Sequence, residues 1–461
     1  MEDSSKPPLP GRTVLGAVLV AAVLGAGTVT LDRPGLGWLL TGVALLAVAG
    51  VQFHVWPGMT RCLWAAAGIA LLGVGTVRAA GWLYAFCVPL AGVCALQALV
   101  GGASVRAMLA GALTWPEAVV QALPWTGRAV RALAPRSRPQ AVARLLVSAL
   151  VSVLLLVVFG ALFASADQAF ARLLARAVPD VEASGAPRWL FLFVTVGLAA
   201  LGIAYLVAAP PSVIEPGEPG RPLRLAEWAL PVALLDAQFG AFVLVQLTVL
   251  FGGRDHVLRP GGPDFAQYAR GGFWQLLAVT SLTLAVIGVV ARFAPRAGQA
   301  NRAAIRVLVG VLSALTLVIV ASALKRMALY EEAYGYTRLR LAVSAAELWL
   351  GLLFVLVLIA GVRRRTAWLP RAVLASAVVG LLGFAALDPD RFIAGQNVDR
   401  FERTGRVDVQ YLSELSADAA PELARLPVAE RAALVVRWSL RDERDPWYSY
   451  NYARSRAKLS P

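Results

Sequence analysis

Histidine, cysteine and lysine are scarce in this 461-residue chain, and each scarcity removes a class of chemistry. The two histidines, His54 and His256, lie neither near a cysteine nor paired one helical turn apart, which excludes the usual zinc ligand sets. Cys62, Cys87 and Cys94 fall in apolar runs. Seven residues of helix hold Cys87 and Cys94 about 10 Å apart, too far for a disulfide, so they read as small buried hydrophobes. Lysine is confined to Lys6, Lys325 and Lys458, so the basic charge is almost wholly arginine. Charge of either sign is sparse at 15%, against about 25% in soluble domains. There is no Walker loop, no GxGxxG after a strand and no HExxH. The first interhelical loop has only Asp32 followed by Arg33, not the acidic pair expected of a lipid-linked sugar transferase, and neither histidine is placed to serve an intramembrane serine nucleophile. No catalytic residue, cofactor or metal is therefore expected.

What the chain has in abundance is apolar sequence, 58% hydrophobic with a mean hydropathy of +0.67. It comes in runs of about twenty residues closed by arginine. A helix needs roughly 20 apolar residues to cross the hydrocarbon, where every backbone polar group must be satisfied internally. Such runs lie at 13–30, 35–56, 62–77, 80–100, 145–166, 189–209, 228–251, 273–291, 307–324, 342–362 and 368–387. The expected fold is an all-α, polytopic transmembrane bundle of about 11 spans, or nine if the short third run forms a non-crossing hairpin with the fourth. The N-terminal run has a signal-peptide look, but no small-x-small cleavage site follows before Asp32, so a retained first helix is expected.

The net charge of +15 does not point to nucleic acid, because the basic residues stand singly or in small groups at the ends of apolar runs. That distribution sets topology. Counting by alternate sides puts the arginine-rich loops, with Arg106 to Arg138, Arg292 to Arg302 and Arg363 to Arg365, on one face and the more acidic loops on the other. The positive-inside rule then predicts the N-terminus inside and the C-terminus outside.

Three modules are expected: 1–209, with an interfacial or merely connecting segment at 103–135 that carries Trp115, Pro116 and Trp125; 210–387, opened by a Pro/Gly-rich loop; and 388–461, a charge-balanced tail. The tail predicts a small α-helical domain outside the membrane, with helices around 409–415, 417–426 and 427–440, in which Leu434, Val435 and Leu440 pack on Leu412, Leu415 and Leu423. So few residues make a small core, so it should lean on the spans. Its end, Trp447 to Tyr452, reads WYSYNY: an interfacial anchor, a partner-binding stretch, or packing onto the tail domain.

Two constellations are candidates for function. Asp236 and Glu347 are acids inside spans, where an ionisable group costs about 2.5–3.5 kcal/mol and so pairs or serves a pathway. Their depths differ, which argues against one shared site. The second is basic and aromatic. Lys325, Arg326, Tyr330, Tyr334 and Arg338 follow the ninth span, with Arg326, Tyr330, Tyr334 and Arg338 along one face if Gly335 does not interrupt the helix, while Tyr268 and Arg270 precede the eighth. Guanidinium forks with tyrosines suit carboxylate or phosphate; an aromatic belt with snorkelling cations would look the same.

The order YARGGFWQL, ALKRMALYEEAYGYTRLRL, DPDRFIAGQNVDRF and DVQYLSELSADAAPEL resembles the bacterial membrane family catalogued as domain of unknown function 4173, related to the group numbered 4153. The likeness covers 211–426 and implies a multi-pass protein of the bacterial cytoplasmic (inner) membrane, without a mechanism. Where that family often has Asn-Pro after the last span, this chain has Asp388 and Pro389. The functions expected are a cell-envelope binding or organising protein, whose partners are membrane lipids and an envelope protein or anionic envelope component, or a secondary transporter coupled to protons or cations through Asp236 or Glu347.

Overall fold

The computed structural model describes residues 7–53, 58–101, 105–133, 152, 163, 186–210, 224–251, 273–295, 298–363, 366–439 and 446–457. Among them every regular element is helical. The chain runs through α1 (Arg12–Thr28), α2 (Leu36–Gln52), α3 (Met59–Val77), α4 (Gly81–Leu99), α5 (Val105–Leu133), α6 (Ala186–Ala208), α7 (Leu225–Phe251), α8 (Phe273–Phe293), α9 (Gln299–Tyr334), α10 (Arg338–Arg363) and α11 (Leu369–Leu387). The tail adds α12 (Pro389–Thr404), α13 (Val409–Leu412), α14 (Ala420–Leu423), α15 (Val428–Ser439) and α16 (Tyr452–Arg456).

Eight of these, α3, α4 and α6 to α11, are long and apolar enough to cross a membrane, which makes this a multi-pass membrane protein. Helices α1 and α2 have 17 residues each, roughly 25 Å at 1.5 Å per residue, somewhat less than the ~30 Å hydrocarbon thickness. The fifth expected span, 145–166, lies outside the described residues. The third, expected to be short, reaches back to Met59 and is full length.

The chain forms two compact units: Met1–Gly102, Arg106–Val213 and Glu443–Arg456 in the first, and Ala103–Val105, Ile214–Asp442 and Ala457–Pro461 in the second. In the first, small residues let helices approach closely. A Cβ on Gly25 would fall 2.8 Å from Val196, and one on Gly37 would strike the Thr28 backbone carbonyl, so glycine is what closes the α1–α2 hairpin. Helix α5 turns Ala118, Ala122, Trp125 and Ala129 inward at steps of three and four. Trp125 donates its indole N–H to the Pro8 carbonyl at 2.9 Å and meets Tyr205 edge-on at 5.6 Å. Trp125 is thus a core residue of this unit.

The stretch 446–456 belongs to this first unit, not to the tail core. Asn451, fully buried, donates to the carbonyls of Gly75 and Arg78, both at 2.8 Å, at the end of α3. Leu36 N–H donates to the Tyr450 carbonyl, and Arg454 donates to the Pro34 carbonyl at 3.0 Å. Helix ends leave carbonyls without partners, and a buried asparagine amide supplies the missing donors.

In the second unit, α7 to α10 bury one core that includes Trp228, Phe239, Leu312, Ile319 and Phe354. Helix α9, at 36 residues, is about 54 Å long and so extends well beyond the hydrocarbon. The tail packs Ile393, Ala394 and Val398 of α12 with Leu412, Leu415, Leu423, Leu426 and Leu434, and this cluster takes in Leu341 of α10 and Phe384 of α11. The small domain thus leans on the spans. Side chains of Val435 and Leu440 lie outside the described residues.

Candidate functional site

Asp236 and Glu347 both face the interior of the second unit. Glu347 is 0% exposed and Asp236 9%, and among the described residues neither carboxyl oxygen of either acid has a hydrogen-bond partner. Gln238, two residues from Asp236, points outward. Arg326 donates to the Gln246 side chain at 3.0 Å, near the C-terminal ends of α9 and α7, and the shared core joins Trp228 to Val243 with Leu312 to Ala323. As alternate helices of one bundle, with α8 between them in the chain, α7 and α9 run parallel, and Asp236, ten residues before Gln246, then lies about 15 Å deeper than that contact. A Cβ on Gly351 would sit 3.3 Å from Val320, which fixes the α9–α10 register and leaves Glu347 about one turn nearer the tail-bearing end. Counted along the helices, the acids are about 12 Å apart in depth and do not meet in one site.

Hydroxyls face the same core. Thr280, Ser313 and Thr316 are fully buried, each donating to the carbonyl four residues back. Their lone pairs stay open to accept.

At the tail-bearing end the basic-aromatic segment is divided. Gly335, at φ +82°, ends α9, and Arg338 starts α10, so no continuous helix aligns Arg338 with Arg326, Tyr330 and Tyr334. Arg338 grips Asp390 with two hydrogen bonds, Nε to Oδ1 at 2.9 Å and Nη2 to Oδ2 at 2.5 Å, while its backbone N–H donates to the Tyr411 hydroxyl at 2.7 Å. Ser416 N–H adds a third bond to Asp390 at 2.8 Å. Burial alone would raise the Asp390 pKa, but the Arg338 guanidinium and the Ser416 N–H outweigh it and hold the carboxyl below its ordinary value. Asn397 bridges the turn, its Oδ1 accepting from Tyr336 N–H and its amide donating to the Tyr336 carbonyl. Arg400 donates to the Ala333 carbonyl at 2.8 Å.

Tyr330 stacks obliquely on Tyr334 at 4.9 Å and lies under the Arg340 guanidinium at 4.3 Å. Lys325 and Tyr334 are exposed. Tyr268 and Arg270 lie outside the described residues. The tail seats on Asp390, expected only as part of a polar turn at 388–390, and on Asn397, expected at the start of a stretch docking over Arg326 and Arg338; Asn397 instead holds Tyr336. The bounds of α12 carry a sequence signal, Pro389 at the first helical position and Gly405 in the left-handed region after the last, but its buried face of Ile393, Ala394 and Val398 is short in a polar segment. Among the described residues no three His, Cys, Asp or Glu side chains gather to hold a metal ion.

The family model "Domain of unknown function (DUF4153)" matches residues 66–426, with residues in both units, and ends at Leu426 of the tail core, before Leu434. The chain belongs to this family. The match starts in α3, well before the 211–426 region that carries the sequence likeness, and it is to the 4153 group rather than to 4173. No curated protein and no solved structure matches the chain.

Proposed function

We propose that the protein is a secondary transporter of the bacterial cytoplasmic membrane, coupled to protons or cations through Glu347 and Asp236. The observation that carries this reading is Glu347: a carboxyl group wholly inside a span, with neither oxygen partnered among the described residues. A carboxylate left this way costs several kcal/mol, and a proton or cation bound during turnover removes that cost. Asp236, about 12 Å deeper, supplies a second station, with buried hydroxyls in the same core as further acceptors. By contrast, Arg338 and Arg340 of the basic-aromatic segment are committed to Asp390 and to Tyr330, which weakens an anion site built on them.

Everted membrane vesicles with a respiration-driven pH gradient, read by a quenched amine dye, test this. Sodium, potassium, lipophilic cations and organic acids are added in turn. At least one should restore fluorescence in wild-type vesicles and not in Asp236→Asn or Glu347→Gln vesicles; equal responses in all three would refute the reading.

A second reading, an envelope-binding protein with its tail outside, is supported by the exposed Trp447, Tyr450 and Tyr452 beside the end of α3. Aromatic rings at that level suit a lipid headgroup layer.

A further inference from the structure

The tail-bearing end of the second unit holds another buried acid. Glu331, in the last turn of α9, is 6% exposed, and one of its oxygens, Oε1, has no hydrogen-bond partner among the described residues. Ser344 and Arg340 of α10 both act on its carboxylate, in a seam where Met327 and Tyr330 of α9 pack on Val343 of α10. Ser344 is half-buried and stands three residues before Glu347, so the two share a face of α10 with their Cβ atoms about 5–6 Å apart. One carboxyl at the end of the bundle, one hydroxyl and one carboxyl inside it therefore follow each other inward along the α9–α10 seam. The other charged or titratable groups around Glu331 are Tyr336 and Glu332, and Glu332 is exposed.

We infer that Glu331 and Ser344 form the proton entry line to Glu347 from the tail-bearing end, an inference that rests on the carboxyl-coupled reading above. A hydroxyl both accepts and donates, which a carboxylate alone cannot do. In the step, protonated Glu331 gives its proton to the Ser344 oxygen as the original hydroxyl proton passes to the Glu347 carboxylate. The O–H bond of Glu331 breaks, that of Glu347 forms, and serine ends unchanged. Glu331 regains a proton from the aqueous side next to Glu332. Burial works against the ionised Glu331 carboxylate, and Arg340, held over Tyr330 and bonded to the Gly335 carbonyl, offsets part of that cost once the proton has left.

Infrared difference spectroscopy of the full-length protein in lipid nanodiscs tests this without a substrate. The carbonyl stretch of a protonated, interior Glu347 is identified by its loss in Glu347→Gln. On switching to heavy water that band shifts as the proton exchanges, and the exchange should slow by about tenfold in Glu331→Gln and in Ser344→Ala, with band intensity kept. Ser344→Thr, which retains the hydroxyl, should exchange at the wild-type rate. Unchanged exchange in both Glu331→Gln and Ser344→Ala overturns the entry line and leaves the Glu347 reading standing. If no carboxyl band is lost in Glu347→Gln, the reading beneath it falls, and the entry line with it.

Discussion

Arg338 and Asp390 join the first turn of α10 to the first turn of α12 through two hydrogen bonds, with the carboxylate fully buried and the guanidinium partly so. This pair seats the tail on the spans. The tail core is too small to stand alone, and it uses Leu341 and Phe384 of the spans to complete itself. Removing one partner leaves the other buried without its counter-charge, the costly way to break such a pair.

Asp390→Ala should therefore destabilise the second unit by about 3–5 kcal/mol, seen as a lower melting temperature in detergent and early proteolysis in α12 to α15. The double replacement Arg338→Met with Asp390→Leu should recover most of that loss. Equal damage from the double replacement would mean that the pair acts through more than its mutual charge.

Tail docking should also depend on pH. Because the folded-state pKa of Asp390 lies below its ordinary value, its contribution is fully present above about 3.9 and is lost as the pH falls through the lowered folded value. Protease sensitivity of the tail should be flat from neutral pH down to that range and rise below it. In Asp390→Asn this acid-dependent component should vanish.

Gly335 should tolerate no side chain. Its φ is +82°, and a Cβ there would strike the Asn397 side-chain oxygen that accepts from Tyr336. Gly335→Ala should cost about 1–3 kcal/mol from backbone conformation, with more from displacing Asn397, measured by thermal unfolding. Gly240→Ala, where a Cβ meets nothing within 4 Å, is the matched control and should be close to neutral.

Eight of the expected spans were legible from the sequence because twenty apolar residues in a row have one stable arrangement in lipid. The tail's leucines were legible for a related reason: Leu412, Leu415, Leu423 and Leu434 keep helical spacing through a polar segment, and they do pack together. The α12 helix was hidden because PDRFIAGQNVDRFERT is polar enough to pass for a linker; its buried face is short, and it is fixed by Asp390 and Asn397 reaching a turn fifty to sixty residues earlier. Local periodicity carries no trace of that pairing. The same holds for Asn451, whose carbonyl partners lie more than 370 positions away. The packing of Trp125 was not legible because an amphipathic helix looks alike whether its apolar face meets lipid or protein. Only the neighbouring Tyr205 and Pro8 decide it.

Orientation is open to a direct check. Single cysteines at Glu414, exposed in the tail, and Thr366, exposed at the opposite end of α10, are introduced into a chain lacking Cys62, Cys87 and Cys94. An impermeant thiol reagent should label position 414 in intact cells and position 366 only after permeabilisation. The reverse pattern would put the tail inside and invert the direction of proton entry.

Charge movement in proteoliposomes on a solid-supported membrane is the most direct measure of whether the interior carboxyls carry the coupling ion. A pH step should drive a transient current in the wild-type protein that falls to background in Glu347→Gln and is strongly reduced in Asp236→Asn, with both variants folded by circular dichroism. Full-sized currents in both folded variants, or none in the wild type across the pH range in which carboxyl groups titrate, would contradict the assignment of Glu347 and Asp236 as the coupling sites.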